Sequence, residues 1–426
     1  MFFLYDLLVH FVGCSLKIVA ALNPKMKLFV EGRKNVFEQI EQKISQGDKT
    51  IWFHAASLGE FEQGMPVMEK TGTLFPDHKI IVTFFSPSGY EVRKNNTIAD
   101  LTVYLPLDTR QNAERFLNLV NPEMVFFIKY EYWPNYLNEL KKRQLKTYLI
   151  SGVLRENQVF FKWYGGFYRN CLTAFDFFFV QNESSKKLLQ SLGYQNVKIS
   201  GDTRFDRVVS ILERDNTLDF IEEFKNNTTT IVIGSSWPKD EELLINFINN
   251  SAENVKFIIA PHNIKSEQIS ELQKSITKKS ILFSDYSDSV RTESHVGTGR
   301  DLSLREYNVF IINTIGILTK IYSYADIAYV GGGFGNPGVH NILEPATFGI
   351  PIVIGPNFNH FAEAIALVNM EGCISISSQN QLNETFSTLL SNEDIRHEKG
   401  HICSTFVQMN KGATAIILNH LKNDNI

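Results

Sequence analysis

The chain has 426 residues, of which 43% are hydrophobic and 21% charged, and its formal net charge is −4. That length is too great for one compact core and suits two domains. The near-neutral charge gives no reason to expect nucleic-acid binding, and the composition is that of a globular enzyme. Cys14, Cys171, Cys373 and Cys403 are scattered without a CxxC pair, and they read as free thiols in a reducing compartment.

Residues 2–22 (FFLYDLLVHFVGCSLKIVAAL) are mostly apolar, are interrupted by Asp6, His10 and Lys17, and are followed by Lys25, Lys27, Arg33 and Lys34. This matches the roughly 20 residues of a spanning helix. Positive charge does not come first and no small-residue cleavage site is clear, so a retained anchor is expected. It would span the membrane or lie on it, with a basic rim toward anionic lipids. The competing account is a buried amphipathic helix of a soluble protein.

Beyond the anchor, short apolar runs alternate with helical patterns. Strands are predicted over 51–55, 79–84, 101–105, 124–128, 147–151, 175–180 and 197–200. In the second half they fall over 230–234, 255–260, 280–283, 309–312, 326–330, 351–354 and 373–376. Near-continuous apolar strands separated by helices imply α/β architecture with parallel sheets covered on both faces. The pattern pauses over 205–229, which places a boundary near 206. The expected division is an anchor and basic rim at 1–34, an N-terminal α/β domain at 35–206 and a C-terminal α/β domain at 207–426. The last helix is a candidate to pack back on the first domain. Ligands of open α/β sheets sit beyond the carboxyl ends of the strands, so two such Rossmann-like domains would face each other across a ligand-binding cleft.

The motifs fall at such strand ends. In HAASLGEFEQG (54–64), Glu60 occupies a strand-to-helix turn, with His54 just before it. A carboxylate held there and kept ionised by a helix N-terminus can act as a base; the plain alternative is a first-turn glutamate that stabilises its helix. Glu131 follows the run at 124–128, with an ion pair to Lys129 as its ordinary account, and Trp133 reads as a packing anchor. Arg155 in SGVLRENQ could meet an acceptor phosphate or simply be solvated. Phe160, Phe161, Trp163 and Tyr164 after it line either a lipid-facing surface or a core helix. Arg204 in GDTRFD could stabilise a departing phosphate, or pair with Asp202 or Asp206.

The segment 330–356 (VGGGFGNPGVHNILEPATFGIPIVIGP) contains GxGxxG at Gly333, Gly335 and Gly338. A dinucleotide site would need an acid about 20 residues on, where Gly355 and Pro356 stand, so that reading fails. The better one is a sugar-nucleotide site. Glycines let the backbone approach a phosphate, Asn341 caps a helix starting near Ile342, and Glu344 in its first turn accepts from ribose hydroxyls. A capping segment with a dipole-compensating glutamate is the structural alternative. There is no DxD, no HExxH and no Cys/His cluster, so no metal and no cofactor beyond the donor substrate is implied.

The glycine turn, HNxLEP and the GxPxxxGP strand together resemble the C-terminal domain of GT-B glycosyltransferases. More narrowly they resemble the 3-deoxy-D-manno-octulosonic acid (Kdo) transferases of lipopolysaccharide synthesis. VEGRK (30–34), HAASLGE (54–60), TFFSPSGYE (83–91), YLPLD (104–108), EYWPN (131–135), VQNESS (180–185) and GDTRFD (201–206) match in family order. The resemblance implies a GT-B fold, CMP-Kdo as donor, a lipid A precursor (lipid IVA) as acceptor, inversion at the transferred sugar and residence on the cytoplasmic face of the inner membrane. It makes Glu60 the general base, Glu131 its partner in the catalytic centre and Arg204 a cation for the leaving group. Donor contacts would come from His262, Asn263, Ile315, Gly316, Ile317, Asn341, Ile342, Leu343 and Glu344. Two stretches depart from the family pattern. Pro261-His262-Asn263 stands where P-R-H is usual, and NTIGIL (313–318) lacks both acids of D-T-x-G-E-L. The alternatives are another GT-B sugar-nucleotide enzyme and a catalytically silent membrane-bound relative.

Overall fold

A computed structural model describes residues 1–288 and 303–423. The chain forms two compact units, one built from 1–207 with 410–426 and the other from 208–409. All fourteen predicted runs are strands, with ends shifted by no more than two residues.

In the first unit, β1 (Lys49–Ala55), β2 (His78–Phe84), β3 (Leu101–Tyr104), β4 (Pro122–Ile128), β5 (Lys146–Gly152), β6 (Phe177–Val180) and β7 (Val197–Ile199) pair in the order 3-2-1-4-5-6-7, all parallel. Side chains alternate across this sheet. Trp52, Val125 and Phe127 enter a core on one face, whereas Ile51, Phe53, Phe126 and Ile128 enter another. The second face is closed by the last helix, Ala413–Asn423, whose Ile417 and Leu421 are fully buried. Asp206 accepts the N–H groups of Gly412 and Thr414 at 2.5 and 2.7 Å, which fixes where that helix starts.

The second unit has β8 (Thr229–Ser236), β9 (Val255–Pro261), β10 (Ser280–Leu282), β11 (Val309–Ile311), β12 (Ile327–Val330), β13 (Ile352–Ile354) and β14 (Cys373–Ser375). Their order is 10-11-9-8-12-13-14, again all parallel.

The N-terminal helix α1 (Phe2–Ala20) is long and apolar enough to cross a membrane. None of its residues is buried, which disposes of the buried-helix alternative. Phe3, Leu4, Leu7, Leu8, Phe11 and Ile18 are exposed along it, at the spacing of one helical face. Its polar residues explain themselves on the other side. Asp6 accepts the Arg110 N–H at 2.7 Å, and Tyr5 donates to the buried Asp108 at 2.8 Å. The helix α2 (Pro24–Glu31) follows, capped by Asn23. Arg33 is not part of a basic rim. Its guanidinium lies over Phe29, Phe85 and Tyr104 and donates to the carbonyls of Phe29, Phe85 and Leu105.

Candidate functional site

Strand order reverses between β1 and β4 in the first unit and between β8 and β12 in the second. Loops leaving the carboxyl ends of such a strand pair diverge to opposite faces and open a crevice. Glu60 follows β1 and Glu131 follows β4, so one crevice receives both carboxylates.

Glu60 sits in the first turn of the helix Leu58–Leu74, capped by Ser57. Its carboxylate folds back to accept the Ala56 N–H at 2.5 Å, so the helix-stabilising account is half met. The side chain is 7% exposed. Burial first, and then the negative charge of Glu131, push its carboxyl up to about 7, against the opposing pull of Ala56 N–H and Lys129. A carboxyl poised near neutral pH is what a general base requires. The helix is pressed onto β4 at Gly64, where any Cβ would collide with Ile128. That close approach fixes Glu60 relative to the β4 end.

Glu131 does not pair with Lys129 through a hydrogen bond. It accepts from Trp133 Nε1 at 2.8 Å and lies 3.3 Å from His54 Nε2. His54 is fully buried, with Nδ1 2.8 Å from Thr83 Oγ1, which also receives Trp52 Nε1–H at 2.8 Å. Trp133 Nε1–H also points at His54 Nε2, 3.0 Å away, so the imidazole sits between Thr83 on one side and Trp133 with Glu131 on the other. Trp133, expected as a packing anchor, packs against Phe85 with ring centroids 4.5 Å apart and in addition orients this carboxylate. Lys129 at the end of β4 and Ser151 near the end of β5 adopt left-handed backbone, with φ of 71° and 51°. Such strain in non-glycine residues collects where a site over-determines the backbone. Arg204 pairs with Asp202 at 2.7 Å, and Asp202 also accepts from Gln63 at 2.7 Å. Of its two expected roles, the structure shows the ion pair.

In the second unit, Ser235, Gly316, Thr319, His340, Asn341 and Glu344 line a cavity of about 250 Å³. Ser235, at the β8 end, is left-handed with φ of 54°. Glu344 accepts from Thr319 Oγ1 at 2.8 Å and from Asn341 Nδ2 at 3.0 Å, while Asn341 Oδ1 takes the Leu343 N–H at 3.1 Å. Ile342, not Asn341, is the N-cap of the short helix Leu343–Thr347, and it has no side-chain cap; Asn341 reaches the first helical N–H from one residue earlier. Ile342 and Leu343 have buried side chains, so only their backbone could meet a ligand. Ile315 is 83% exposed, Gly316 has φ of 100°, and Ile317 caps the short helix Leu318–Ile321.

His262 stacks on Trp237 and on His340, each with ring centroids 4.6 Å apart, and Trp237 Nε1–H donates to His340 Nε2 at 2.8 Å. Burial holds both imidazoles below their ordinary range. Asn263 lines a different small hollow with Ser236, Glu241 and Pro261, so it is not gathered with Glu344. The glycine run approaches the chain's own backbone. A Cβ at Gly331 would strike Ser235, and one at Gly333 would strike Gly355. Buried Asp240 ties these loops together by accepting the Trp237 and Gly332 N–H groups and the Tyr329 hydroxyl. Among the described residues no three His, Cys, Asp or Glu side chains gather as metal ligands.

Residues 31–207 match the family model described as 3-deoxy-D-manno-octulosonic-acid transferase (kdotransferase). Over the first unit, then, the chain resembles the Kdo transferases. It is similar to the 3-deoxy-D-manno-octulosonic acid transferase of Chlamydia trachomatis serovar D, with 29% identity over 82% of this chain and 80% of that one. The Haemophilus influenzae enzyme of the same name is 24% identical over 96% of this chain and 94% of the relative. The fold is that of GT-B proteins. UDP-GlcNAc 2-epimerase from Neisseria meningitidis bound to UDP-GlcNAc aligns with a TM-score of 0.58 at 14% identity, covering 88% of this chain and all of that one. MurG from Acinetobacter baumannii aligns with a TM-score of 0.53 at 13% identity, covering 88% and 99%.

Sequence reasoning missed Thr83, Asp240, Thr319 and Ser235. Thr83 opens a quoted motif yet carried no chemical signal of its own, and Asp240 looks like any first-turn acid of a surface helix.

Proposed function

We propose that this chain moves Kdo from CMP-Kdo to a lipid A precursor with inversion, on the cytoplasmic face of the inner membrane. The observation that carries the reading is Glu60, a buried carboxyl raised to about 7 beside a second carboxylate at the β1/β4 switch point. Glu60 takes the proton of a glucosamine hydroxyl. The freed oxygen attacks the anomeric carbon of Kdo, and the bond from that carbon to the phosphate oxygen breaks, releasing CMP. Glu131, held by Trp133 and His54, keeps a negative charge nearby and so makes Glu60 a stronger base. CMP-Kdo draws on the second unit, with Glu344 and Asn341 offered to ribose hydroxyls and His340 to the phosphate. Arg204 is an electrostatic partner for the leaving group only if it exchanges Asp202 for phosphate. The exposed apolar face of α1 supports a membrane-bound enzyme.

The test mixes the purified protein with CMP-Kdo and tetraacyl lipid A precursor and reads product mass. Gain of one or more Kdo masses, lost in Glu60→Gln, is expected. A folded preparation that adds no Kdo refutes the reading. Gain that persists in the variant removes Glu60 from the base role.

A further inference from the structure

A cavity in the first unit plays no part in the chemistry above. It is a groove of about 740 Å³ between α1, α2 and the Pro106–Leu107 turn. That size is typical of a ligand pocket. Its wall is apolar, with Leu16 and Ala20 from α1, Val30 from α2 and Leu107 opposite. Lys17 and Lys27 stand on its lining, and neither has a carboxylate partner among the described residues. Two uncompensated ammonium groups on an apolar trough suit an anionic amphiphile, with the chain in the trough and the anion at its mouth.

The groove is also close to the carboxylates. Arg33 lines it and lies over the Phe85 ring, Phe85 packs against Trp133, and Trp133 holds Glu131. Two aromatic rings, Phe85 and Trp133, lie between the Arg33 wall of the groove and Glu131. We propose that this groove seats an acyl chain of the lipid acceptor, with an acceptor phosphate on Lys17 and Lys27. This rests on the reading that the acceptor is an acylated, phosphorylated disaccharide. The groove then acts as a ruler that selects acylated acceptors.

The experiment uses the full chain and tetraacyl disaccharide bisphosphate carrying a diazirine at one acyl terminus. Photolabelled peptides are expected to fall within residues 13–37 and 106–112. Labelling elsewhere, or labelling abolished by an equal amount of phosphatidylglycerol in vesicles, overturns the proposal. In kinetics, Ala20→Trp fills the trough and should raise KM for the tetraacyl acceptor at least tenfold. Turnover of the same disaccharide stripped of its chains, and KM for CMP-Kdo, should not change. Lys17→Glu with Lys27→Glu should raise KM for both phosphorylated acceptors. An unchanged KM in Ala20→Trp sinks the groove even if transfer is robust. Wild-type protein that labels in the groove but transfers no Kdo sinks the transferase reading and leaves the groove standing.

Discussion

The two units share an architecture of seven parallel strands with one reversal of order, yet their switch points treat carboxylates in opposite ways. Glu60 at the β1 end is held only by backbone N–H groups of its own turn and faces another negative charge, so burial and Glu131 push its carboxyl up to about 7. Asp240 beyond β8 is just as buried but accepts two backbone N–H groups and a tyrosine hydroxyl. Glu344 likewise has a hydroxyl and an amide on its two oxygens. Burial alone does not make a base; the neighbours of the buried oxygens, a like charge at Glu60 and side-chain hydroxyl or amide donors at Asp240 and Glu344, separate a reactive carboxylate from a structural one.

The comparison breaks most visibly at Glu60. Glu60→Gln keeps the acceptor for Ala56 N–H and removes the proton acceptor, so kcat should fall by about 10²–10⁴ with the fold intact. Stability should move the other way. Because the carboxyl is raised in the folded state, wild type is favoured below pH 4.5 and loses that advantage as pH rises through about 7. Above pH 7 the variant should therefore melt higher than wild type, by up to about 3 kcal/mol in unfolding free energy. A variant that melts lower at pH 8 contradicts the assigned environment.

Glu344→Ala should raise KM for CMP-Kdo by roughly ten- to a hundredfold through lost hydrogen bonds, while the pH profile set by Glu60 stays in place. A shifted profile would mean that the two carboxylates do not serve separate roles. The pH dependence itself sharpens the contrast. Wild-type kcat/KM should climb tenfold per pH unit below about 7 and level off above it. Glu131→Gln removes the like charge, so the same limb should move to lower pH; a limb that stays at 7 shows that burial alone sets it. The smallest effect belongs to Trp133→Phe, which keeps the packing against Phe85 and deletes one donor to Glu131. About a fivefold loss in kcat/KM is expected, with donor KM unchanged.

Much of this was legible beforehand because parallel strands announce themselves. Fully covered strands such as VFFI and TIVIG are apolar throughout, and the helices between them fixed the alternation. Glu60 and Glu131 could be found because strand ends are where open sheets bind ligands. Their environment could not be read, since the network of Trp52, His54, Thr83 and Trp133 is closed by hydrogen bonds between residues 29 to 79 apart in sequence. Glycines misled in part. In Gly331 and Gly333 the missing Cβ admits the chain's own loops, and no sequence pattern separates that use from cradling a phosphate. Arg33 misled for a related reason, because a cation following an apolar helix looks like a lipid contact until its guanidinium is found among carbonyls and rings.

The helix Ala413–Asn423 completes the first unit with residues translated after all of the second. An emerging ribosomal product that has finished its first 207 residues still lacks Ile417 and Leu421, and the open face of its sheet waits for them. Commitment of the base-bearing half is thereby deferred until the second unit has been made, and removing residues 413–423 would harm the unit that carries Glu60.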